Sequence, residues 1–140
     1  MAANSRFAMG VHALSLLAGD QDRAMTSDEI AGAIDTNPVV VRRILASLQQ
    51  AGLVTSQKGP KGGTKLAEPA KKISLARIYK AIENRPFLHV PYSSSGVKDA
   101  HHKRVAGSLK DAFRAADEAI EAEMESITLS QIAKRSERKK

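Results

Sequence analysis

Cysteine is absent from the 140 residues, and that single absence excludes a disulfide framework, a thiolate zinc site, a cysteine nucleophile and a cysteine-ligated iron–sulfur cluster. Long apolar runs are missing as well. The stretch from Phe7 to Ala18 is too short and too interrupted for a membrane span or a secretory signal, and the opening Met1 to Asn4 carries no basic leader region. No serine, histidine and carboxylate stand in a catalytic arrangement, the Ser93-Ser94-Ser95 run included. The Gly59-Pro60-Lys61-Gly62-Gly63 run lacks the lysine and hydroxyl spacing of a Walker loop and does not lead directly into a helix. His89, His101 and His102, with Asp99 nearby, are the one grouping that resembles metal ligands, but adjacent helical histidines point about 100° apart and do not share an ion easily. These absences predict a cytoplasmic protein that is not an enzyme, holds no metal or cofactor and has no membrane partner.

Acids are also scarce in one particular place. Between Thr36 and Ile82 stand Arg42, Arg43, Lys58, Lys61, Lys65, Lys71, Lys72, Arg77 and Lys80 against the single acid Glu68, an excess at least as large as the net +7 of the whole chain. A field of that sign and density is a footprint for a polyanion, duplex DNA first. With 42% hydrophobic and 26% charged residues the body of the chain has enough apolar content to bury a core.

Helical spacing of Phe7, Val11, Leu14, Leu17 and Ala18, closed by Gly19-Asp20, predicts a first helix, with His12 at its boundary. Thr26-Ser27-Asp28-Glu29 has the form of a capping box and starts a second, with Ile30, Ala31 and Ile34 as its apolar stripe. After the break at Asp35-Thr36, Asn37 is an N-cap and Pro38 fits the first helical position, where its missing N–H costs little. In the third helix Val41, Ile44, Leu45 and Leu48 share one face, while Val39, Arg42, Arg43, Ala46, Gln49 and Gln50 turn mainly to the other, up to the cap at Gly52. Leu53 to Gln57 and Thr64 to Ala67 read as an antiparallel hairpin around the Gly-rich basic turn, and Ser74 caps a fourth helix through Leu75, Ile78, Tyr79 and Ile82. Helix, short turn, helix, strand, basic loop, strand is the plan of a winged helix-turn-helix.

Residues 84–97, with Pro86, Pro91 and Gly96, have the composition of a linker. Beyond it Val105, Leu109, Ala112, Phe113, Ala116, Ile120, Met124 and Ile127 recur over about seven helical turns, roughly 40 Å, longer than a small core covers. The simplest partner for such a stripe is the same helix of a second copy, with Gly107, Ala112 and Ala116 permitting close approach. Thr128 caps a last short helix through Leu129, Ile132 and Ala133. The expected organisation is a mainly α chain with a small β-hairpin: a winged domain at 1–83, a linker at 84–97, a dimerisation helix and short terminal helix at 98–133, and a frayed basic tail at 134–140.

With these residues in order, the sequence resembles the Rrf family of bacterial transcription factors. The likeness covers nearly the whole chain and is carried by Arg6-Phe7-Ala8, by Thr36-Asn37-Pro38-Val39-Val40-Val41-Arg42-Arg43, by Ala51-Gly52-Leu53-Val54, and by Gly59-Pro60-Lys61-Gly62-Gly63. It implies a homodimer built on the long helix, recognition helices in successive major grooves, wings at the flanking minor grooves, and base-reading positions at Val39, Arg42 and Arg43 with Lys58 on the wing. The family's best-known members place three cysteines before the dimerisation helix to hold an iron–sulfur cluster. Between His89 and Arg104 this chain has none.

An arginine near the start of a capped helix donates bidentately to guanine O6 and N7, so Arg42, and next Arg43, are the expected readers; Val39 either meets a thymine methyl or is simply an exposed valine. Lys58, Lys61 and Lys65 flank glycines that permit close backbone approach, suiting a phosphate role, though such lysines also keep a hairpin soluble. The expected function is a DNA-binding repressor acting on a partly palindromic operator through Pro38 to Arg43 and the wing. A second reading is a protein-interaction module that uses the long helix and binds nucleic acid without specificity. Tyr79, Phe87, His89 and Tyr92 gather near the hinge, where a small-molecule or protein effector would change the spacing of the recognition helices.

Overall fold

In this computed structural model the described residues are 4–89 and 99–138, with side chains described to residue 134. The chain forms α1 (Ser5–Gly19), α2 (Ser27–Ala33), α3 (Pro38–Gln50), β1 (Val54–Gln57), β2 (Gly63–Leu66), a 3-10 turn at Ala70–Lys72, α4 (Leu75–Ile82), α5 (Ala100–Glu125) and α6 (Leu129–Arg138). These make two compact units, one from Met1–Asn84 with Met124–Lys140 and the other from Arg85–Glu123.

The core of the first unit sits where the apolar faces of α1, α2, α3 and α4 meet. Leu14, Leu17, Ile30, Val41, Ile44, Leu48 and Ile78 are all essentially inaccessible to water. The expected stripe of α3 is the buried one, whereas α1 is seated deepest through Gly10, Ala13, Leu14 and Leu17, a face displaced from the predicted Phe7–Val11 line. Gly10 suits that face: a Cβ there would meet the end of the Ile82 side chain, which would have to shift to admit it.

The helix starts follow local rules. The Thr26 oxygen accepts from Glu29 N–H at 3.1 Å while Glu29 Oε1 accepts from Thr26 N–H at 3.3 Å, the reciprocal capping box. Asn37 Oδ1 accepts from Val39 N–H at 2.8 Å, and Ser74 Oγ accepts from Arg77 N–H at 3.1 Å. Each satisfies a first-turn donor that would otherwise face water or nothing. β1 and β2 pair antiparallel with Val54 opposite Leu66 and Gln57 opposite Gly63.

The end of the chain differs from the sequence expectation. The terminal helix, grouped there with the long helix in 98–133, folds back onto the first unit: Leu129 is wholly buried in its core, and α6 packs along α1. Two backbone bonds fasten it, Leu75 N–H to Ile127 O at 2.9 Å and Leu129 N–H to Ile73 O at 2.8 Å, and Ser74 Oγ donates to Glu125 Oε2 at 3.2 Å. Thr128 and Gln131 cap α6 reciprocally at 3.2 and 3.0 Å, and its helical backbone continues to Arg138, past the expected fraying point at Lys134. The predicted linker falls mostly on residues 90–97, outside the described residues. Its first part belongs to the second unit, where Leu88 N–H donates to Asp117 Oδ1 on α5 at 3.1 Å.

Candidate nucleic-acid interface

Burial of Val41, Ile44, Leu45 and Leu48 fixes the rotation of α3, and by helical geometry it turns the opposite face outward. On that face Arg42 and Arg43 are exposed and Val39 is 45% exposed. Pro38 occupies the first turn beside the Asn37 cap. Val39, Arg42 and Arg43 stand three and four residues apart, so they form one short row. At the far end of the helix Gln49 Oε1 accepts from Ser56 Oγ at 2.8 Å, tying the exposed face of α3 to the first wing strand.

The wing tip runs from Lys58 to Gly62 and is closed by Gly62 N–H to Gly59 O at 2.8 Å. Lys58 and Lys61 are exposed there, and Lys65 is half-buried on β2 opposite Thr55. Sequence reasoning did not reveal that the hairpin has a third edge. Met25 N–H donates to Thr64 O at 3.0 Å and Thr64 N–H to Met25 O at 2.8 Å, so the loop before α2 joins β2 as a one-residue bridge. Gly63 makes the approach possible: its φ is +141°, and an added Cβ would lie 2.5 Å from the Met25 carbonyl oxygen.

Among the cations between Thr36 and Ile82, Arg77 is engaged internally. Arg77 donates to both Glu68 oxygens, at 2.6 and 3.2 Å, and to Lys72 O at 3.0 Å, so it closes the 3-10 turn against α4. The two hydrogen bonds from Arg77 hold the Glu68 carboxyl below its ordinary range, against a smaller opposing effect of burial. This pair neutralises itself, and the exposed cations of the stretch include Arg42 and Arg43 on α3 and Lys58 and Lys61 on the wing, with Lys71, Lys72 and Lys80 beyond it.

The other predicted residues are divided. Tyr79 is 6% exposed in the first unit, its ring edge-on to Phe7 with centroids 5.3 Å apart. Tyr92 lies outside the described residues. Phe87 is half-buried in the second unit, and His89 lines a cavity of about 310 Å³ there with Pro86, Leu88, Phe113 and Asp117. Along α5, Val105 is 47% exposed, Ala112 is exposed, and Leu109, Phe113, Ala116, Ile120 and Met124 are half-buried. Val105, Leu109 and Ala112 floor an open, mainly apolar groove with His101, Arg104 and Ser108. Ala106, which the periodicity did not single out, is fully buried.

The family model for Rrf2, described as an iron-dependent transcriptional regulator, matches residues 3–135. YwnA of Bacillus subtilis (strain 168), which carries the name of an HTH-type transcriptional regulator, is 33% identical over 129 residues, covering 92% of this chain and 95% of that one. A crystal structure described as that of a DNA binding protein superposes with a TM-score of 0.74 at 31% identity, covering 91% of this chain and 98% of the other. The structure of IscR from T. potens shares the fold at a TM-score of 0.76 and 23% identity, over 100% and 91% of the two chains.

The iron in the family's description finds no matching donors here. The sequence supplies no thiolate, and among the described residues no three histidine, aspartate or glutamate side chains gather in a way that could hold a metal ion. These residues do not fit an iron–sulfur cluster.

Proposed function

The chain belongs to the Rrf2 family of DNA-binding transcriptional regulators, and from that premise we propose that it acts as a homodimeric repressor on a partly palindromic operator, reading bases with α3. The observation that carries this reading is the row Val39, Arg42 and Arg43, exposed on a helix whose other face is locked in the core. Pro38 and the Asn37 cap set the start of that helix, the part that enters the major groove in helix-turn-helix proteins. Arg42 donates to a guanine edge, Arg43 to a base or a phosphate, and Val39 supplies apolar contact. Lys58, Lys61 and Lys65 hold the flanking backbone and carry no sequence information.

The apolar stripe of α5 supports a second copy as its cover. Val105, Leu109, Ala112, Phe113, Ala116, Ile120 and Met124 would then form the seam that sets the spacing of two recognition helices. His89 borders the cavity beside α5 in the second unit, where a small-molecule or protein effector would act, with Phe87 half-buried in the same unit and Tyr79 buried in the first.

The test is selection of bound sites from genomic DNA, followed by anisotropy titration of the wild-type chain and Arg42→Ala on the selected duplex and on a scrambled one. Arg42→Ala is expected to cost about 1 to 3 kcal/mol per half-site and to relax preference at one base pair in each. Unchanged affinity and unchanged base preference would remove Arg42 as a reader.

A further inference from the structure

A cleft of about 480 Å³ lies between the loop before α2 and the wing, lined by Asp22, Arg23, Thr26, Glu29, Lys61 and Lys65 among others. We propose that this cleft seats a backbone phosphate of the bound duplex, with Arg23, outside both the recognition helix and the wing, as an additional phosphate-binding residue. This rests on the DNA-binding reading above and extends its footprint to a loop that neither sequence motifs nor the family comparison single out.

Three observations converge on Arg23. First, the Met25–Thr64 bridge fixes the loop on the wing's outer edge, so that a cation two residues earlier stands beside Lys61 and Lys65. Second, the side chain is 61% exposed, and its guanidinium is held in place rather than free to sweep: Nη2 donates to Glu29 Oε2 at 2.5 Å. Glu29 is itself anchored, since its Oε1 is engaged by Thr26 in the capping box. Third, a guanidinium has five N–H donors in a fixed fork, and this contact uses one. The remaining donors suit the bidentate geometry of a phosphate. Asp22 and Glu29 also border the cleft, and the three cations still outnumber these two carboxylates.

A phosphate contact contributes equally to all sequences and leaves its mark in the salt dependence. The experiment compares wild type, Arg23→Gln, Arg23→Lys and Arg42→Ala by anisotropy on selected and scrambled duplexes at several salt concentrations, each variant first checked for an unchanged melting temperature. Arg23→Gln is expected to weaken binding to both duplexes by the same factor and to flatten the log–log salt slope by about 0.9 per half-site. Arg23→Lys should restore most of the slope. A slope unchanged in Arg23→Gln, with Arg42→Ala still losing specificity, overturns the cleft as a phosphate seat and leaves the reading of α3 standing. Absence of duplex binding by the wild type overturns both.

Discussion

Leu129→Ala tests whether the terminal helix is part of the DNA-binding unit or an ornament on it. Leu129 lies 47 residues beyond Ile82, the nearest buried member of the first unit's core in sequence, yet it is fully buried in it and flanked by the backbone bond to Ile73. Truncating a buried leucine removes its transfer free energy and leaves a cavity, together about 2 to 5 kcal/mol. An unfolding entropy near 2.1 cal/mol/K per residue gives a 140-residue chain about 0.29 kcal/mol/K, so the melting temperature should fall by about 7 to 17 °C. Leu129→Met, which nearly conserves volume, should cost under about 1.5 kcal/mol. Calorimetry or circular dichroism at one fixed protein concentration reads both, since association couples stability to concentration. A loss below about 1 kcal/mol for Leu129→Ala would refute the packing of α6 into this core.

Other substitutions probe other links. Gly63→Ala forces a side chain into a left-handed φ against the Met25 carbonyl, and about 2 kcal/mol or more of strain should appear in a denaturant titration, with wing-dependent DNA affinity falling alongside. Because pairing with Arg77 lowers the folded-state pKa of Glu68, the stability it contributes is complete above its unfolded value and is lost as pH falls through the depressed folded one. Glu68→Gln should therefore flatten the acid limb of the stability–pH profile, and an unaltered limb would remove the pair as its source. Leu109→Asp, on the stripe of α5, should shift the sedimentation profile toward monomer and abolish two-site operator binding; an intact dimer would place the seam elsewhere.

Local chemistry was the legible part of the sequence. The caps at Thr26, Asn37 and Ser74 depend on neighbours within three residues, and the burial of Val41, Ile44, Leu45 and Leu48 depends on helical period, so both could be read without a fold. Contacts made across the chain could not. Arg77 has the sequence signature of a surface cation until Glu68, nine residues upstream, is brought against it by the 3-10 turn. Tyr79 satisfied two readings at once, apolar stripe and hinge aromatic, and Phe7 on α1 decides for the first. The Met25–Thr64 bridge left no trace in residue types except Gly63, which a turn would equally require. Arg23 was invisible for the same reason: its place beside the wing comes from that bridge and from no motif around it.

The bridge also bears on what association costs. A two-stranded hairpin is marginal by itself in water, and a loose one would have to give up its backbone freedom on meeting DNA, at about 1 to 2 kcal/mol for each residue fixed. Here folding has already stiffened the hairpin through Met25 on one side and Gln49 on the other. The backbone positions that carry its lysines are therefore set before the encounter, and the entropy of ordering the hairpin backbone falls on folding.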